Sequence, residues 1–515
     1  LTLQGVKDNA LGLGAIVEVR AGPVYQRVFC RGETLLLAIG DRNVADVVRI
    51  TWPNGVIQHE VDLEAGVDYL IKQREGVTAS CPFLYTWNGE TYVFVSDVLG
   101  ITPLGLPLGP GMIVPPDHDE YVLVRGDQLA PKDGFFELQF TEELREVTYL
   151  DRLRLDVIDH PAEVEVQPNE RFTFPPFPEH HIHTLRAPLA PISAIGSNGE
   201  DWTAALAAND GDFAMPFEPY TGVGAGQFLG LAPPHWIELE FDREAVARAE
   251  KLRLAMSGWL FWTDASVNMA AARHPGFEFV PPMAQVPDGA GGWRSIEPPL
   301  GFPAGKTKTM VVDASFLDRE DPRVRIFSTL RLYWDSIRLA VDGDDAPYVV
   351  TSIEPGSAEL WRRGYSKQVP YRGRRELAWF EWDQLEEQPR WNQHPGLYTR
   401  YGEVVPLLGE IDDRFVIMGA GDALTVRFPA DGLPPLPEGW TRDYLVFLDG
   451  WAKDRDPNTH GALYVEPLPF HGMSGYPYGV DEGFPDDEEH RRWRREWNTR
   501  PAHRWIESLV PPTSR

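Results

Sequence analysis

One segment near the end of the chain has the spacing of a calcium loop. Asp454-x-Asp456-x-Asn458 places three side-chain oxygens on one side of a tight turn, and such oxygens are the ligands that Ca²⁺ prefers. The alternative is a solvated turn rich in Asp and Asn, because Thr459 stands where an EF-hand loop requires glycine. The spacing therefore suggests Ca²⁺ as a cofactor.

A second metal candidate is the pair His181 and His183, which follows a proline-rich crossing. Alternate residues of an extended chain point the same way, so the two imidazoles can share a Zn²⁺ or Cu²⁺ ion. The spacing identifies no third ligand, and an exposed structural pair is the alternative.

Carboxylates beside aromatic residues suggest chemistry on a sugar. Such pairs occur in the segments Trp379–Asp383 and Tyr333–Asp335. In a strand, Glu381 and Asp383 would lie about 7 Å apart on one face, a separation that glycoside hydrolysis can use. The chain has 77 acidic residues, so such pairs also arise by chance.

Three tryptophans are candidates for a platform on which a sugar ring could stack, namely Trp259, Trp262 and Trp334. The alternative is that they are buried in the core, which is the usual place for large aromatic residues. Two cysteines, Cys30 and Cys81, form either one disulfide or two free thiols. The chain has no G-x-S-x-G, P-loop or H-E-x-x-H motif, so the sequence identifies no catalytic residue.

The elements that position these residues are predicted to be strands. Hydrophobic residues alternate over 15–20, 24–31 and 47–52, and the segments 135–140, 147–157 and 444–448 are also strand-like. Glycine and proline together make up 93 of 515 residues, as expected for many short strands joined by turns. Acidic residues at 486–489 followed by basic residues at 491–495 predict one helix near the end.

The first 70 residues contain three motifs with a recognisable spacing, namely Leu3-x-Gly5, Gly12-x-Gly14-Ala15-x-Val17-x-Val19 and Trp52-Pro53-x-Gly55-x-x-Gln58. Together these motifs resemble the ASPIC/UnbV domain of cartilage acidic protein and its bacterial relatives. The family usually reads F-G-L-G where this chain has Leu37-Ala38-Ile39-Gly40. The resemblance implies an immunoglobulin-like β-sandwich, typically preceded by FG-GAP propeller repeats and sometimes by tetratricopeptide repeats. Because that propeller would lie upstream of Leu1, its calcium sites are not transferred to this chain.

The remaining residues resemble the long C-terminal extension of some bacterial members of the family. We therefore expect an all-β protein with several sandwich domains and few short helices. The expected domains are an ASPIC/UnbV sandwich over 1–75, a β-rich connecting domain over 76–170, a galactose-binding-like jelly roll over 171–345, and a β-rich domain with a terminal helix over 346–515. The chain begins at Leu1 without an initiator Met, so we expect it to be a processed or trimmed piece.

The charge balance limits the partners. Lys plus Arg is 48 and Asp plus Glu is 77, a formal net charge of −29, which repels nucleic acid and anionic lipid. No apolar run approaches the roughly 20 residues of a membrane span. The expected partners are another protein, the upstream propeller or repeat region, or a glycan.

These observations favour a non-enzymatic extracellular, periplasmic or cell-surface protein that binds protein or glycan partners through its sandwiches. One alternative is a polysaccharide hydrolase with Glu381 and Asp383 as acid and base. The other is a structural subunit of a larger assembly.

Overall fold

The computed structural model describes residues 1–6, 9–53, 57–73, 82–214, 220–221, 227–228, 230–371, 374–386, 391–504 and 509. About 45% of the protein is strand and 5% is helix, which confirms the predicted all-β fold with several sandwiches. None of the helices in these ranges is long and apolar enough to cross a membrane.

The first strands form an N-terminal domain with a core of its own. They are β1 (Thr2–Gln4), β2 (Ile16–Ala21), β3 (Val24–Phe29), β4 (Val44–Thr51), β5 (Ile57–Glu64) and β6 (Leu70–Lys72). The sheet order is β3-β2-β4-β5, and β1 pairs with β6 in parallel. Along β2, alternate residues are buried, as its hydrophobic pattern predicts. The buried indole of Trp52 donates to Gln58 Oε1 at 3.0 Å.

The next strands begin a central sandwich. They are β7 (Phe83–Trp87), β8 (Tyr92–Asp97), β9 (Pro107–Gly109), β10 (Met112–Ile113), β11 (Asp119–Val124), β12 (Pro131–Lys132), β13 (Phe135–Thr141), β14 (Glu146–Pro161) and β15 (Val164–Pro168). Strands β13 and β14 confirm the strands predicted over 135–140 and 147–157.

A second sandwich follows before the central one is complete. Its elements are β16 (Ile182–Arg186), β17 (Ser193–Gly196), β18 (Tyr220–Thr221), β19 (Gln227–Phe228), β20 (Leu231–Glu240), α1 (Arg243–Arg248), β21 (Leu252–Leu260), α2 (Ala265–Ala271), β22 (Met283–Pro287), β23 (Trp293–Ser295), β24 (Lys308–Asp313), β25 (Arg323–Leu330) and β26 (Leu332–Val341). A five-stranded sheet, β17-β20-β25-β22-β23, packs on a three-stranded sheet, β24-β21-β26. We call residues 182–341 the inserted sandwich.

The chain then returns to the central sandwich. Its elements are β27 (Val349–Ile353), β28 (Ser357–Arg362), β29 (Tyr365–Tyr371), β30 (Arg374–Glu386), β31 (Leu397–Tyr398), β32 (Gly402–Glu403), a 3₁₀ turn (Val405–Leu407), β33 (Val416–Gly419), β34 (Asp422–Pro429), β35 (Trp440–Asp454), α3 (Glu488–Glu496) and β36 (Arg500–Pro501). Helix α3 confirms the helix predicted near the end, with Asp487 as its N-cap.

The two sheets of the central sandwich each combine strands from both sides of the insertion. One has the order β11-β35-β14-β27, and the other has the order β32-β28-β34-β13-β7-β8. Segments 76–170 and 346–515 were predicted as separate domains, and this prediction is corrected because β14 pairs with β35 and β13 with β34. Neither segment has a complete sheet without the other.

Candidate functional site

A cavity of about 340 Å³ lies between the central and inserted sandwiches. Strands β8, β11 and β15 line one side, strands β21, β24 and β26 line the other, and the β29–β30 hairpin closes one end. Its volume is in the range of small-molecule sites. The polar residues that line it are Ser96, Arg125, Gln128, Gln167, Glu170, Asn209, Ser257, Thr307, Lys308, Thr309 and Asp335.

Gln167 is the most unusual residue of this cavity. It lies on β15, is 1% exposed, and its backbone is held opposite His183 of β16. Neither the oxygen nor the nitrogen of its side-chain amide has a hydrogen-bond partner among the described residues. Leaving buried polar atoms unpaired costs about 1–3 kcal/mol, so a ligand group that reached this amide would be bound favourably.

Asp335 approaches the cavity from β26. Its Oδ1 accepts hydrogen bonds from the backbone N–H groups of Asp210 at 3.2 Å and Gly211 at 2.7 Å. These bonds fix the orientation of a buried carboxylate at the cavity wall. The sequence had indicated Asp335 through its neighbours Tyr333 and Trp334.

Two further groups set the charge of the cavity. Burial raises the pKa of the Glu170 carboxyl well above its usual range, and the nearby carboxylates of Glu120 and Asp119 raise it further. Both effects favour the protonated form of Glu170, which can donate a hydrogen bond. Lys308 pairs with Glu120, and its Nζ also donates to the carbonyl of Ala304 at 2.7 Å. The lysine charge is thus balanced within the protein.

Aromatic residues form one wall of the cavity. The rings of Tyr371 and Trp379 are 5.2 Å apart, and those of Phe213 and Tyr371 are 6.3 Å apart. All three line the cavity. An apolar wall opposite amides and carboxylates suits a ligand with both a hydrophobic face and hydroxyl groups.

The predicted tryptophan platform is corrected by the burial of its members. Trp259 is 2% exposed and stacks on Tyr333 at 4.2 Å, and Trp334 is 4% exposed. Trp262 is half-buried and lines a small apolar cavity with Leu260. Trp259 and Trp334 therefore belong to the core of the inserted sandwich and offer no ring face to a ligand from solvent.

The predicted catalytic pair lies outside the cavity. Glu381 and Asp383 are exposed on β30, on the same side of a two-stranded hairpin. The amide of Gln384 donates to Glu381. Their neighbour Trp379 on the same strand does reach the cavity.

The predicted histidine pair acquires a third group in the fold. His181 Nε2 and His183 Nδ1 lie 3.0 and 3.1 Å from Asp344 Oδ2. The guanidinium of Arg253 lies 3.0 Å from the same oxygen. A metal ion would have to compete with this cation for Asp344, and metal binding here stays a prediction.

The predicted calcium ligands lie at the end of β35 and in the loop that follows it. Asp456 is buried, and its Oδ1 accepts from Ser266 Oγ and from the N–H of Asn458, both at 2.8 Å. Burial and the neighbouring Asp456 raise the pKa of Asp454 to about 6. The amide of Asn458 donates to Ser266 at 2.9 Å. This loop therefore fastens the central sandwich to α2, and calcium binding stays a prediction.

Cys30 is buried, and its Sγ donates to the carbonyl of Leu11 at 3.5 Å. Cys81 lies outside the described residues, so its pairing stays a prediction.

Comparisons with protein-family models, with curated proteins and with solved structures find no match to this chain. The resemblance to the ASPIC/UnbV domain stays a prediction. Of the cavity residues, sequence reasoning had indicated Asp335 and Trp379 but had missed Gln167. A glutamine in an alternating strand has no pattern that marks it, because only the fold leaves its amide without partners.

Proposed function

We propose that the protein is a non-enzymatic extracellular or periplasmic binding protein that takes a glycan into the cavity between its central and inserted sandwiches. The observation that carries the proposal is the buried amide of Gln167, which lines the cavity with both polar atoms unpaired. A sugar offers adjacent hydroxyl groups that donate to the amide oxygen and accept from the amide nitrogen.

The charges of the cavity favour a neutral ligand. Burial favours the protonated form of Glu170, Lys308 pairs with Glu120, and Arg125 pairs with Asp443 at 3.4 Å. A charged ligand would have to break these internal pairs. A neutral saccharide would not, and its apolar ring face can lie on the wall formed by Tyr371 and Trp379.

The test combines a glycan array with calorimetry on the best ligand. Gln167→Met should weaken binding at least tenfold, because the hydroxyl groups lose both of their partners. The same change should leave stability unchanged or raise it by about 1 kcal/mol, because it removes a buried polar group that had no partner.

Gln393→Met is the matched control. This glutamine is also buried, but it donates to Ala420 and accepts from His503 and Arg500, far from the cavity. Its replacement should lower stability by about 1–3 kcal/mol and leave glycan affinity unchanged. The proposal fails if no glycan binds, or if Gln167→Met binds as tightly as the wild type.

A hydrolase is the second candidate, favoured by one observation. Glu170, whose pKa is raised by burial, and Asp335, whose carboxyl is oriented by backbone N–H groups, line the same cavity, and glycoside hydrolysis uses a pair of carboxyl groups. Release of reducing sugar from the array ligands, abolished by Glu170→Gln and by Asp335→Asn, would establish this function. Loss of turnover on Glu381→Ala or Asp383→Ala would instead restore the pair indicated by the sequence.

A further inference from the structure

We propose that the central sandwich binds one divalent transition-metal ion through His118, His471 and Asp449. This site is separate from the glycan cavity. The three residues, together with Asp413 and Asp151, are called the histidine–aspartate cluster.

Asp449 lies between the two imidazoles. Its Oδ2 is 2.8 Å from His118 Nδ1, and its Oδ1 is 2.9 Å from His471 Nε2. The three ligand atoms lie within 4.8 Å of one another, and the two rings are 5.0 Å apart. A small inward shift of these side chains would place all three around one ion at about 2.0–2.2 Å.

A β-bulge brings a further carboxylate to the cluster. The register between β14 and β35 shifts between Leu150, which faces Gly450, and Arg152, which faces Asp449, so Asp151 is an extra residue without a partner in the register. Bulges of this kind redirect a side chain. Asp151 Oδ2 lies 3.8 Å from His471 Nδ1 and accepts the N–H groups of Asp412 and Asp413 at 2.9 Å.

Asp413 orients the second nitrogen of His471. Its Oδ1 lies 2.7 Å from His471 Nδ1 and also accepts the backbone N–H of His471 at 3.0 Å. Metal-bound histidines commonly donate their other ring N–H to a carboxylate, which fixes the tautomer and the ring. His471 thus already has the second partner that a metal ligand requires.

The carboxylates of the cluster form ion pairs with its own two histidines. Asp449 and Asp151 are 0% exposed, and Asp151 Oδ1 has no partner among the described residues. Within the described part of the chain, no Lys or Arg forms an ion pair with Asp449, Asp413 or Asp151. A bound cation would offset this buried charge.

The donor set selects the class of metal. Two imidazole nitrogens and a carboxylate suit Zn²⁺ and neighbouring transition metals better than Ca²⁺ or Mg²⁺, which prefer oxygen ligands alone. The side chain of His118 is 49% exposed, so the ion would face solvent on one side. The cluster of His181, His183 and Asp344 is a weaker site because Arg253 occupies its carboxylate.

The cluster can also be explained without a metal ion. Burial lowers the pKa of His471, but the bonds with Asp413 and Asp449 outweigh this effect and raise the pKa to about 10. The competing account of the cluster is therefore an ion-pair network around a protonated histidine. The two accounts differ in whether metal binds with defined stoichiometry.

The experiment is calorimetric titration of the full chain with Zn²⁺ after treatment with a chelator and its removal, repeated with Co²⁺ and read by visible absorption. We expect one equivalent to bind, with Co²⁺ bands of a site of low coordination number. Asp449→Asn and His118→Gln should each weaken binding at least tenfold. His118 is the safer variant for folding because its side chain is half-exposed.

His490→Gln is the matched control, because His490 forms a similar pair with Asp487 at 2.7 Å but has no second histidine. It should bind Zn²⁺ as the wild type does. Absence of saturable binding would overturn the proposal. So would binding that survives Asp449→Asn and His118→Gln but is lost in His183→Gln, since the ion would then lie at the other histidine pair.

Discussion

Glu142 and Glu143 are adjacent carboxylates in opposite environments. Both are 0% exposed. Glu143 pairs with Arg363 at 3.2 Å and accepts from the N–H and hydroxyl of Ser366 at 2.6 and 2.7 Å. Glu142 accepts only from Thr148, and its Oε2 has no partner among the described residues. The charge of Glu143 is therefore balanced by a cation, whereas Glu142 has no such partner among the described residues.

The difference predicts an unusual pH dependence for Glu142. Burial, with Asp422 and Glu143 nearby, raises its pKa to about 8 from the ordinary 4.5. The folded state therefore keeps a proton that the unfolded state releases. The stabilising contribution of this proton is complete below pH 4.5 and is lost as the pH rises to 8.

Glu142→Gln should remove this loss of folding stability at high pH. The variant should be more stable than the wild type by roughly 2 kcal/mol or more at pH 8, with little difference at pH 4.5. Urea unfolding at several pH values measures this. Glu143→Gln should instead lower the free energy of unfolding by about 3–5 kcal/mol at pH 7, because it leaves Arg363 buried without its partner. Equal effects at both positions would refute this assignment of charge.

Residues that cooperate over long sequence distances could not be found from the sequence. His118 and Asp449 are 331 positions apart, so no spacing links them. His181 and His183 were found because they are two positions apart on one strand, but their partner Asp344 was not. Local patterns indicate which residues share a strand face, whereas the ligand set depends on which strands become neighbours.

At the scale of elements, alternation predicted the strands well and their pairing poorly. The apolar residues over 444–448 predicted a strand, and β35 contains it. Nothing in that segment shows that β35 is placed between β11 and β14. Strands buried on both faces carry the same apolar side chains whatever their neighbours, so composition cannot specify their order.

The β-bulge at Asp151 depends on Gly450 in the facing strand β35. Gly450 has φ 147°, and a Cβ there would lie 2.1 Å from the carbonyl oxygen of Tyr149. Gly450→Ala should therefore destabilise the protein by roughly 3 kcal/mol or more. It should also reduce any Zn²⁺ binding, because Asp449 and Asp151 would move apart. Thermal unfolding and the titration described above measure the two effects.

Gly432→Ala is the control that distinguishes the effect of a close Cβ contact on stability from the effect of a positive φ. Gly432 also has a positive φ, 88°, but a Cβ there would meet nothing within 4 Å. Its replacement should cost about 1 kcal/mol and leave metal affinity unchanged. If both variants lost the same stability, the close approach at Gly450 would not be the cause.

At the scale of the whole molecule, the central sandwich is assembled from two distant parts of the chain. Its largest strand pair joins β14 to β35, and hydrogen bonds such as Arg442 to Asp159 span 283 residues. The inserted sandwich, in contrast, has both of its sheets within residues 193–341. Long-range pairing makes folding slow and dependent on the last strands.

Truncation tests this arrangement. A fragment of residues 171–345 contains both sheets of the inserted sandwich and most of its core, so it should unfold cooperatively on its own. A fragment of residues 1–345 should show two unfolding transitions, one from the inserted sandwich and one from the N-terminal domain. It should show no third transition from the central sandwich. The reason is that β11, β13 and β14 lack β34 and β35, and the large apolar faces of these strands stay unpaired. Addition of a fragment of residues 346–515 should restore the third transition. Calorimetry of the three samples measures the number of unfolding transitions. A third transition in fragment 1–345 alone would mean that the first strands of the central sandwich form a domain by themselves.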